Sequence, residues 1–277
     1  MFRDDLLEGR TALVTGGGSG LGLAMAKRFA ALGARVAICG RSEERLAAAA
    51  EEIGGGAATH PCDVRDAASV RDMVASLCEE VGEIDILVNN AAGNFLAPTE
   101  DLSPNGFDAV VRTVLHGTFH ATHSVGNRMI GQGRGGAILN IVTTYAWTGS
   151  AFVVPSAAAK AGVLAMTRSL AVEWATYGIR VNAIAPGPFP TEGAWSRLMA
   201  SPEMEQEARG RVPLGRFGEA DELADLAAYM VSEGAGYMTG ECVTLDGGEG
   251  MASGGQFNGL VRMPRETVKG AMREMRG

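Results

Sequence analysis

The chain is poor in the residues that staple or metallate small folds. It has 4 cysteines and 4 histidines in 277 residues. Cys39, Cys62, Cys78 and Cys242 lie far apart, with neither a CxxC pair nor a histidine-paired zinc spacing. That excludes a disulfide scaffold and a zinc module, and leaves buried or neutral thiols as the expectation. His116, His120 and His123 would share one helix at metal-like spacing, but no nearby acid completes a ligand set, so no metal is expected. Positive charge is also scarce. Lysine and arginine total 24 against 32 aspartates and glutamates, a net charge of −8. No basic face is therefore available for nucleic-acid phosphates. No apolar run reaches the ~18 residues of a membrane span. The segment MFRDDLLEGR lacks the apolar core of a signal peptide, its acids do not suit a transit peptide, and Met275-Arg276-Gly277 is no peroxisomal address. A cytoplasmic location is the expectation.

Glycine is what the chain has in excess. There are 39, about twice the usual ~7%, with only 10 prolines and no collagen period. Many backbone positions must therefore need positive φ or close approach. With 46% hydrophobic and 20% charged residues the chain is neither disordered nor a miniprotein. Its length suits one α/β domain with a large core.

Strands and helices alternate from the start, the mark of a parallel sheet with crossover helices. The strands read as Thr11–Val14, Arg35–Cys39, Ala57–Pro61, Asp85–Val88, Ala137–Val142, Arg180–Ile184 and Val243–Asp246. The first helix runs through Leu32, and Ser42 caps the second. Further helices are expected over Ala67–Val81, Phe107–Met129, Ser156–Tyr177 and Glu219–Val231. Thr191–Arg211 reads as a mobile helical insertion, a small substrate lid. A tail of about thirty residues follows from residue 249, and no linker divides residues 1–277, so a single domain is expected. The fold class is a Rossmann-type doubly wound α/β sheet.

The first strand runs into Thr15-Gly16-Gly17-Gly18-Ser19-Gly20-Leu21-Gly22, where a helix opens. Glycines there let backbone N–H groups and the positive helix end approach a pyrophosphate. The second strand ends in Gly40-Arg41-Ser42, where NAD sites usually present a carboxylate to the ribose 2′-hydroxyl. A guanidinium matches a 2′-phosphate, so NADPH is favoured over NADH.

TGGGSGLG at Thr15–Gly22, Cys62-Asp63-Val64, Asn89-Asn90-Ala91-Ala92-Gly93 and Pro186-Gly187-Pro188 resemble motifs of the short-chain dehydrogenase/reductase superfamily, along nearly the whole chain. Two departures stand out. That superfamily's YxxxK tyrosine slot, four residues before Lys160, holds Ser156, and its helix asparagine is replaced by Val114. Tyr145, just after the fifth strand, is available instead. NNAAGNF at Asn89–Phe95, LSPN at Leu102–Asn105, FVVPSAAAKAGV at Phe152–Val163, GAWSRL at Gly193–Leu198, DGGE at Asp246–Glu249 and the tail's SGGQFNGL are similar to the mitochondrial-type, NADPH-dependent 2,4-dienoyl-CoA reductases.

This resemblance implies a set of roles. Tyr145 would be the catalytic tyrosine and Asn94 its partner at the thioester oxygen. Lys160, supported by Ser156, would bind the nicotinamide ribose. Gly16, Gly17, Gly18, Ser19, Gly20 and Leu21 would hold the pyrophosphate, Arg41 the 2′-phosphate and Asp63 the adenine. Asn90 and the run Pro186, Gly187, Pro188 and Phe189 would complete the cofactor site. Arg65, Phe95, Ser103 and Arg197 fall at acyl-CoA contacts. The implied reaction gives a trans-3-enoyl-CoA, an auxiliary step of unsaturated fatty acid β-oxidation, in a homotetramer. Two other readings stay open: a carbonyl or 3-ketoacyl reductase with a rearranged site, and a non-catalytic NADPH-binding protein.

Overall fold

The computed structural model describes residues 2–191, 201–252 and 254–275. Seven parallel strands form one sheet: β1 (Thr11–Thr15), β2 (Arg35–Gly40), β3 (Ala58–Pro61), β4 (Ile86–Asn89), β5 (Gly136–Ile141), β6 (Ile179–Pro186) and β7 (Cys242–Leu245). Their order is β3-β2-β1-β4-β5-β6-β7. The order reverses between β1 and β4, which opens a crevice at the carboxyl ends of those strands, the usual ligand position in such sheets. All five residues of β1 and all four of β4 are buried. Strands covered on both faces read as unbroken apolar runs for this reason.

Helices α1 (Gly20–Ala31), α2 (Glu43–Ile53) and α3 (Ala67–Val81) return the chain between the early strands. Ser42 and Asp66 start α2 and α3 by accepting backbone N–H groups from Arg45 and from Ala68 and Ser69. One core cluster packs α1 and the helix Ala220–Val231 on one face of the sheet, around Phe29, Ile38 and Leu223. The other face packs α3 and later helices around Met73, Leu77 and Met129. The architecture is the doubly wound α/β fold that the alternation of elements implies.

Three expectations need correction. The single helix over Phe107–Met129 is α4 (Pro104–Val111), a π-helical segment Arg112–His116, and α5 (Gly117–Gln132). The Thr113 and Thr118 hydroxyls donate to carbonyls four residues back, at 2.8 and 2.7 Å, flanking the irregular turn. Such back-bonding bends helices, and π-bulges gather at functional sites. Val114, in the position of the superfamily's helix asparagine, lies in this segment and is buried. Tyr145 does not stand on an open loop but begins a helical turn, α6 (Tyr145–Thr148). The next helix, α7, starts at Val154 with Pro155 in its first turn and ends at Glu173, followed by a 3₁₀ turn at Ala175–Tyr177. Of the expected lid, Pro202–Arg211 is a helix capped by Ser201, while Arg197, Trp195, Leu198 and Met199 lie outside the described residues.

A buried chain of polar side chains ties the site-bearing strands to the helices behind them. Asn89 Nδ2 donates to Thr122 Oγ1 and to Asn140 Oδ1, both at 2.8 Å, and Asn140 Nδ2 donates to Thr167 Oγ1 at 2.8 Å. Hydrogen bonds away from water are short of competitors, so this chain fixes the ends of β4 and β5 against α5 and α7.

Candidate active site

The glycine turn is built from β1 outward. Gly16 and Gly20 have φ of +66° and +54°, which L side chains rarely adopt. A Cβ on Gly17 would meet Ile38 Cγ2 at 2.5 Å, and one on Gly22 would overlap the Gly16 carbonyl oxygen. The turn is thus pressed against the sheet and against itself, with α1 opening directly from it at Gly20. Asn90 holds it from β4: its Nδ2 donates to the carbonyls of Thr15 and Gly16 at 3.1 and 3.2 Å. Thr15 Oγ1 in turn accepts from the backbone of Asn90 and Ala91. Asn90 therefore shapes the cradle through its side chain, a role for which its place beside Asn89 in the motif gave only a general signal. The bare, helix-ended cradle fits the pyrophosphate of a dinucleotide.

After β2, Arg41 is exposed and no carboxylate takes the strand-end position. Asp63 and Arg65 face each other: Arg65 Nη2 reaches Asp63 Oδ2 at 2.5 Å and Nε reaches both oxygens at 2.9 Å. That pair, with a smaller influence from Arg41, holds the Asp63 carboxyl below its usual range. Arg65 lines a cleft of about 650 Å³ with Asp63, Asp66, Ala67, Arg112, His116 and His120. The cleft borders this end of the site and does not reach Tyr145 or Lys160. His120 Nδ1 is engaged with the Val64 carbonyl at 2.9 Å. Among the described residues no three His, Cys, Asp or Glu side chains converge as a metal site. Cys39, beneath this corner, is fully buried, and burial pushes its thiol up to about 12, so it is inert at neutral pH.

At the end of β6, Gly187 passes so close to the residue after β7 that a Cβ there would meet Asp246 Cβ at 2.6 Å. Its N–H donates to Leu245 O, and Pro188 O accepts from Gly218 N. The segment Pro186–Phe189 is held flat along the end of the sheet, with Phe189 packed under Gly218.

The residues expected to be catalytic come together from β5, α6 and α7. Tyr145 is half-buried, and its hydroxyl shares a hydrogen bond of 3.1 Å with Ser156 Oγ, itself 2% exposed. Ser156 and Lys160 lie one turn apart on α7, on one face. Lys160 Nζ donates to the Ile141 carbonyl at the end of β5. Burial, with no partner carboxylate, pulls the ammonium down to about 8. Asn94 Oδ1 accepts from Phe95 N at 2.9 Å, and among the described residues its amide N–H groups have no acceptor. No hydrogen bond joins Asn94 to Tyr145 among the described residues. Ser103 caps α4 by accepting from Gly106 N at 3.1 Å, and the Phe95 ring lies over the same turn. Sequence reasoning missed Ile141 as the partner of Lys160 and Thr15 as the anchor of the turn. The first is a backbone group and carries no residue signal; the second heads the TGGGSGLG motif.

A glycine cradle at the switch point of a doubly wound sheet, with a buried lysine and a tyrosine at its far end, defines a nicotinamide-dinucleotide oxidoreductase. Residues 16–249 match the family model described as enoyl-(acyl carrier protein) reductase. The chain belongs to the short-chain dehydrogenase/reductase family, whose members use NAD(P). It is 46% identical over 247 residues to a probable (2E)-enoyl-CoA-producing 2,4-dienoyl-CoA reductase of Bacillus subtilis, covering 88% of this chain and 97% of that one. It is 44% identical to a probable (3E)-enoyl-CoA-producing 2,4-dienoyl-CoA reductase of Caenorhabditis elegans, covering 90% and 83%. The crystal structure of a short-chain dehydrogenase from Bacillus anthracis, 48% identical, superposes with a TM-score of 0.80 over 87% of this chain and 96% of that one. No helix among the described residues is long and apolar enough to cross a membrane.

Proposed function

We propose that this chain reduces 2,4-dienoyl-CoA thioesters to trans-3-enoyl-CoA with NADPH, as a homotetramer serving the oxidation of unsaturated fatty acids. The observation that carries the reading is the hydrogen bond from Tyr145 to Ser156. A serine fills the helix slot in which ordinary members of the family carry tyrosine, and the phenol reaches the same hydroxyl from a different element. Both relatives are named 2,4-dienoyl-CoA reductases, the Caenorhabditis elegans protein with a (3E)-enoyl product and the Bacillus subtilis protein with a (2E)-enoyl product.

The displacement has a chemical logic. A carbonyl reductase needs its proton donor on the oxygen of the very carbon that is reduced. In a conjugated dienoyl thioester the reduced carbon is C5, and charge develops on the thioester oxygen several bonds away. The donor must stand away from the nicotinamide. Tyr145 Oη and the free amide of Asn94 serve as that oxyanion hole, aimed where charge appears. NADPH, when bound, supplies the hydride. Lys160 holds the nicotinamide ribose, Gly16 to Leu21 the pyrophosphate, Arg41 the 2′-phosphate, and Asp63 the adenine. Asn90 and the Pro186–Phe189 segment support the same cofactor. Arg65, Phe95 and Ser103 are assigned to the acyl-CoA, as is Arg197, which lies outside the described residues. Arg65 is paired with Asp63, so binding the coenzyme A phosphates requires it to share or leave that carboxylate. Protonation at C2 from solvent completes the trans-3-enoyl product. Consumption of NADPH with 2,4-hexadienoyl-CoA tests the reading. Turnover of a 3-ketoacyl thioester in its place would identify a carbonyl reductase, and cofactor binding without any turnover a non-catalytic protein.

The depressed Lys160 makes cofactor binding pH-dependent. With its ordinary value of 10.5 lowered to about 8, Lys160 is half neutral near pH 8 in the free protein. NADPH is polyanionic and favours the charged form, so binding near pH 8 is expected to take up protons, and affinity to fall as pH rises past about 8. Calorimetry in buffers of different ionisation enthalpy reads the uptake. Lys160→Met is expected to abolish it; uptake that persists in that variant would place the titrating group elsewhere. For the fold the sign is opposite. Between about 8 and 10.5 the unfolded chain binds the extra proton, so the stability cost of burying Lys160 is relieved as pH rises through that window.

A further inference from the structure

Among the described residues, every left-handed backbone position belongs to glycine except one: Phe152, at φ +64°. An L side chain is disfavoured there because its Cβ crowds the backbone, and such outliers gather where a site needs a side chain held in one place. The core gains nothing from it, since Phe152 is 58% exposed. Its backbone is nevertheless tied down. Phe152 O accepts from Ala97 N at 3.0 Å, which clasps its loop to the loop carrying Asn94 and Phe95.

Other exposed large apolar side chains stand on the loop that Phe152 clasps and on the helical turn that precedes it. Phe95, Leu96 and Trp147 are 41%, 51% and 50% exposed. Trp147 lies on the helical turn that Tyr145 begins, and Ser156, the partner of Tyr145, follows Phe152 by one turn of chain. Single exposed apolar residues are ordinary, but a cluster of them beside a polar pair marks a binding surface. The chemistry of its occupant is narrow. No charged residue occurs in Ala91–Pro98 or in Tyr145–Ser156, although 20% of the chain is charged. The uncharged segment Tyr145–Ser156 begins and ends on the hydrogen-bonded pair whose phenol is proposed to meet the thioester oxygen.

Resting on the dienoyl-CoA reading above, we propose that Phe152 and Trp147 form the wall for the saturated tail of the acyl group beyond the diene. The wall makes the protein select longer dienoyl thioesters over hexadienoyl-CoA. Phe152 is a specificity-determining residue: the clasp holds its ring at the mouth of the site, where a shorter acyl group does not extend.

Phe152→Gly separates this role from folding. Glycine adopts φ +64° freely, so the variant is expected to melt at the same temperature or higher. The ratio of kcat/KM for 2,4-decadienoyl-CoA to that for 2,4-hexadienoyl-CoA is expected to fall roughly tenfold, the effect of about two methylenes losing apolar contact. The loss should appear in KM, and the Kd of saturated decanoyl-CoA by calorimetry should rise by the same factor. Phe152→Leu, which keeps an apolar side chain, should restore part of the ratio. A fall in kcat shared equally by both substrates would overturn the proposal and make Phe152 a support for the Asn94 loop. An unchanged ratio and Kd would overturn it as well. Dissociation of an oligomer in Phe152→Gly would overturn it in favour of a second copy covering the patch. If the wild-type protein reduces no dienoyl-CoA of any length, the reaction assignment fails, and the decanoyl-CoA isotherms alone then decide the wall.

Discussion

Tyr145→Phe is expected to lower turnover of 2,4-dienoyl-CoA by roughly 10²–10³-fold, the effect of removing one oxyanion donor. The substitution deletes one oxygen and leaves the ring on its helical turn. Because that oxygen is needed only where charge develops on the thioester, kcat and kcat/KM should fall together. NADPH affinity should stay within about twofold, since cofactor contacts come from other elements. Ser156 makes the experiment informative. It is 2% exposed and loses its partner in the variant, which costs about 1–3 kcal/mol if the hydroxyl stays unpaired. A melting curve therefore belongs beside the kinetics, to show that the protein remains folded at the assay temperature. Ser156→Ala is the complement: the phenol stays but loses its fixed direction, and a smaller loss is expected. Full activity in Tyr145→Phe would remove the phenol from the reaction.

Arg41→Ala carries the second large effect. Arg41 follows β2 directly, is exposed, and stands near enough to Asp63 to lower that carboxyl. A charge-assisted hydrogen bond to a phosphate contributes about 1.5–3 kcal/mol, so kcat/KM with NADPH should fall roughly 10- to 100-fold. The value with NADH should barely change, because NADH has no phosphate there. The variant thus collapses the cofactor preference without touching the reacting groups. Equal losses with both cofactors would assign Arg41 to the shape of the β2–α2 turn, and equal NADPH activity would leave the 2′-phosphate to another residue.

The sequence carried the fold most clearly where a single physical rule governs a segment. Apolar runs between turns located all seven strands to within a few residues, and α3 matches its expected bounds because Asp66 is an unambiguous N-cap. The π-helical segment Arg112–His116 was not legible. Periodicity over 107–129 is satisfied by one continuous helix, and one extra residue per turn leaves no mark on composition. The helical turn at Tyr145 was lost for a related reason, since four residues give no period to read. At the site, the glycine cradle was plain because its glycines have steric causes, now visible in the overlaps a Cβ would make at Gly17 and Gly22. The absence of tyrosine at residue 156 was equally plain. What could not be read was pairing. The Asp63–Arg65 bridge, the Lys160–Ile141 bond and the contact between Tyr145 and Ser156 depend on side-chain directions that only the folded chain defines.

Tyr145 stands on α6 while Ser156 and Lys160 stand on α7, and the reaction proposed rests on this separation. The decisive measurement is one assay of the wild-type protein on 2,4-hexadienoyl-CoA with NADPH and NADH in parallel, the product's double bond located by NMR. Rapid oxidation of NADPH, much slower oxidation of NADH, and a trans-3-enoyl thioester as product are expected. A 2-enoyl product would contradict protonation at C2, since the same hydride at C5 followed by protonation at C4 leaves the C2–C3 double bond, and an intact diene with reduction of a 3-ketoacyl thioester instead would contradict the reaction itself.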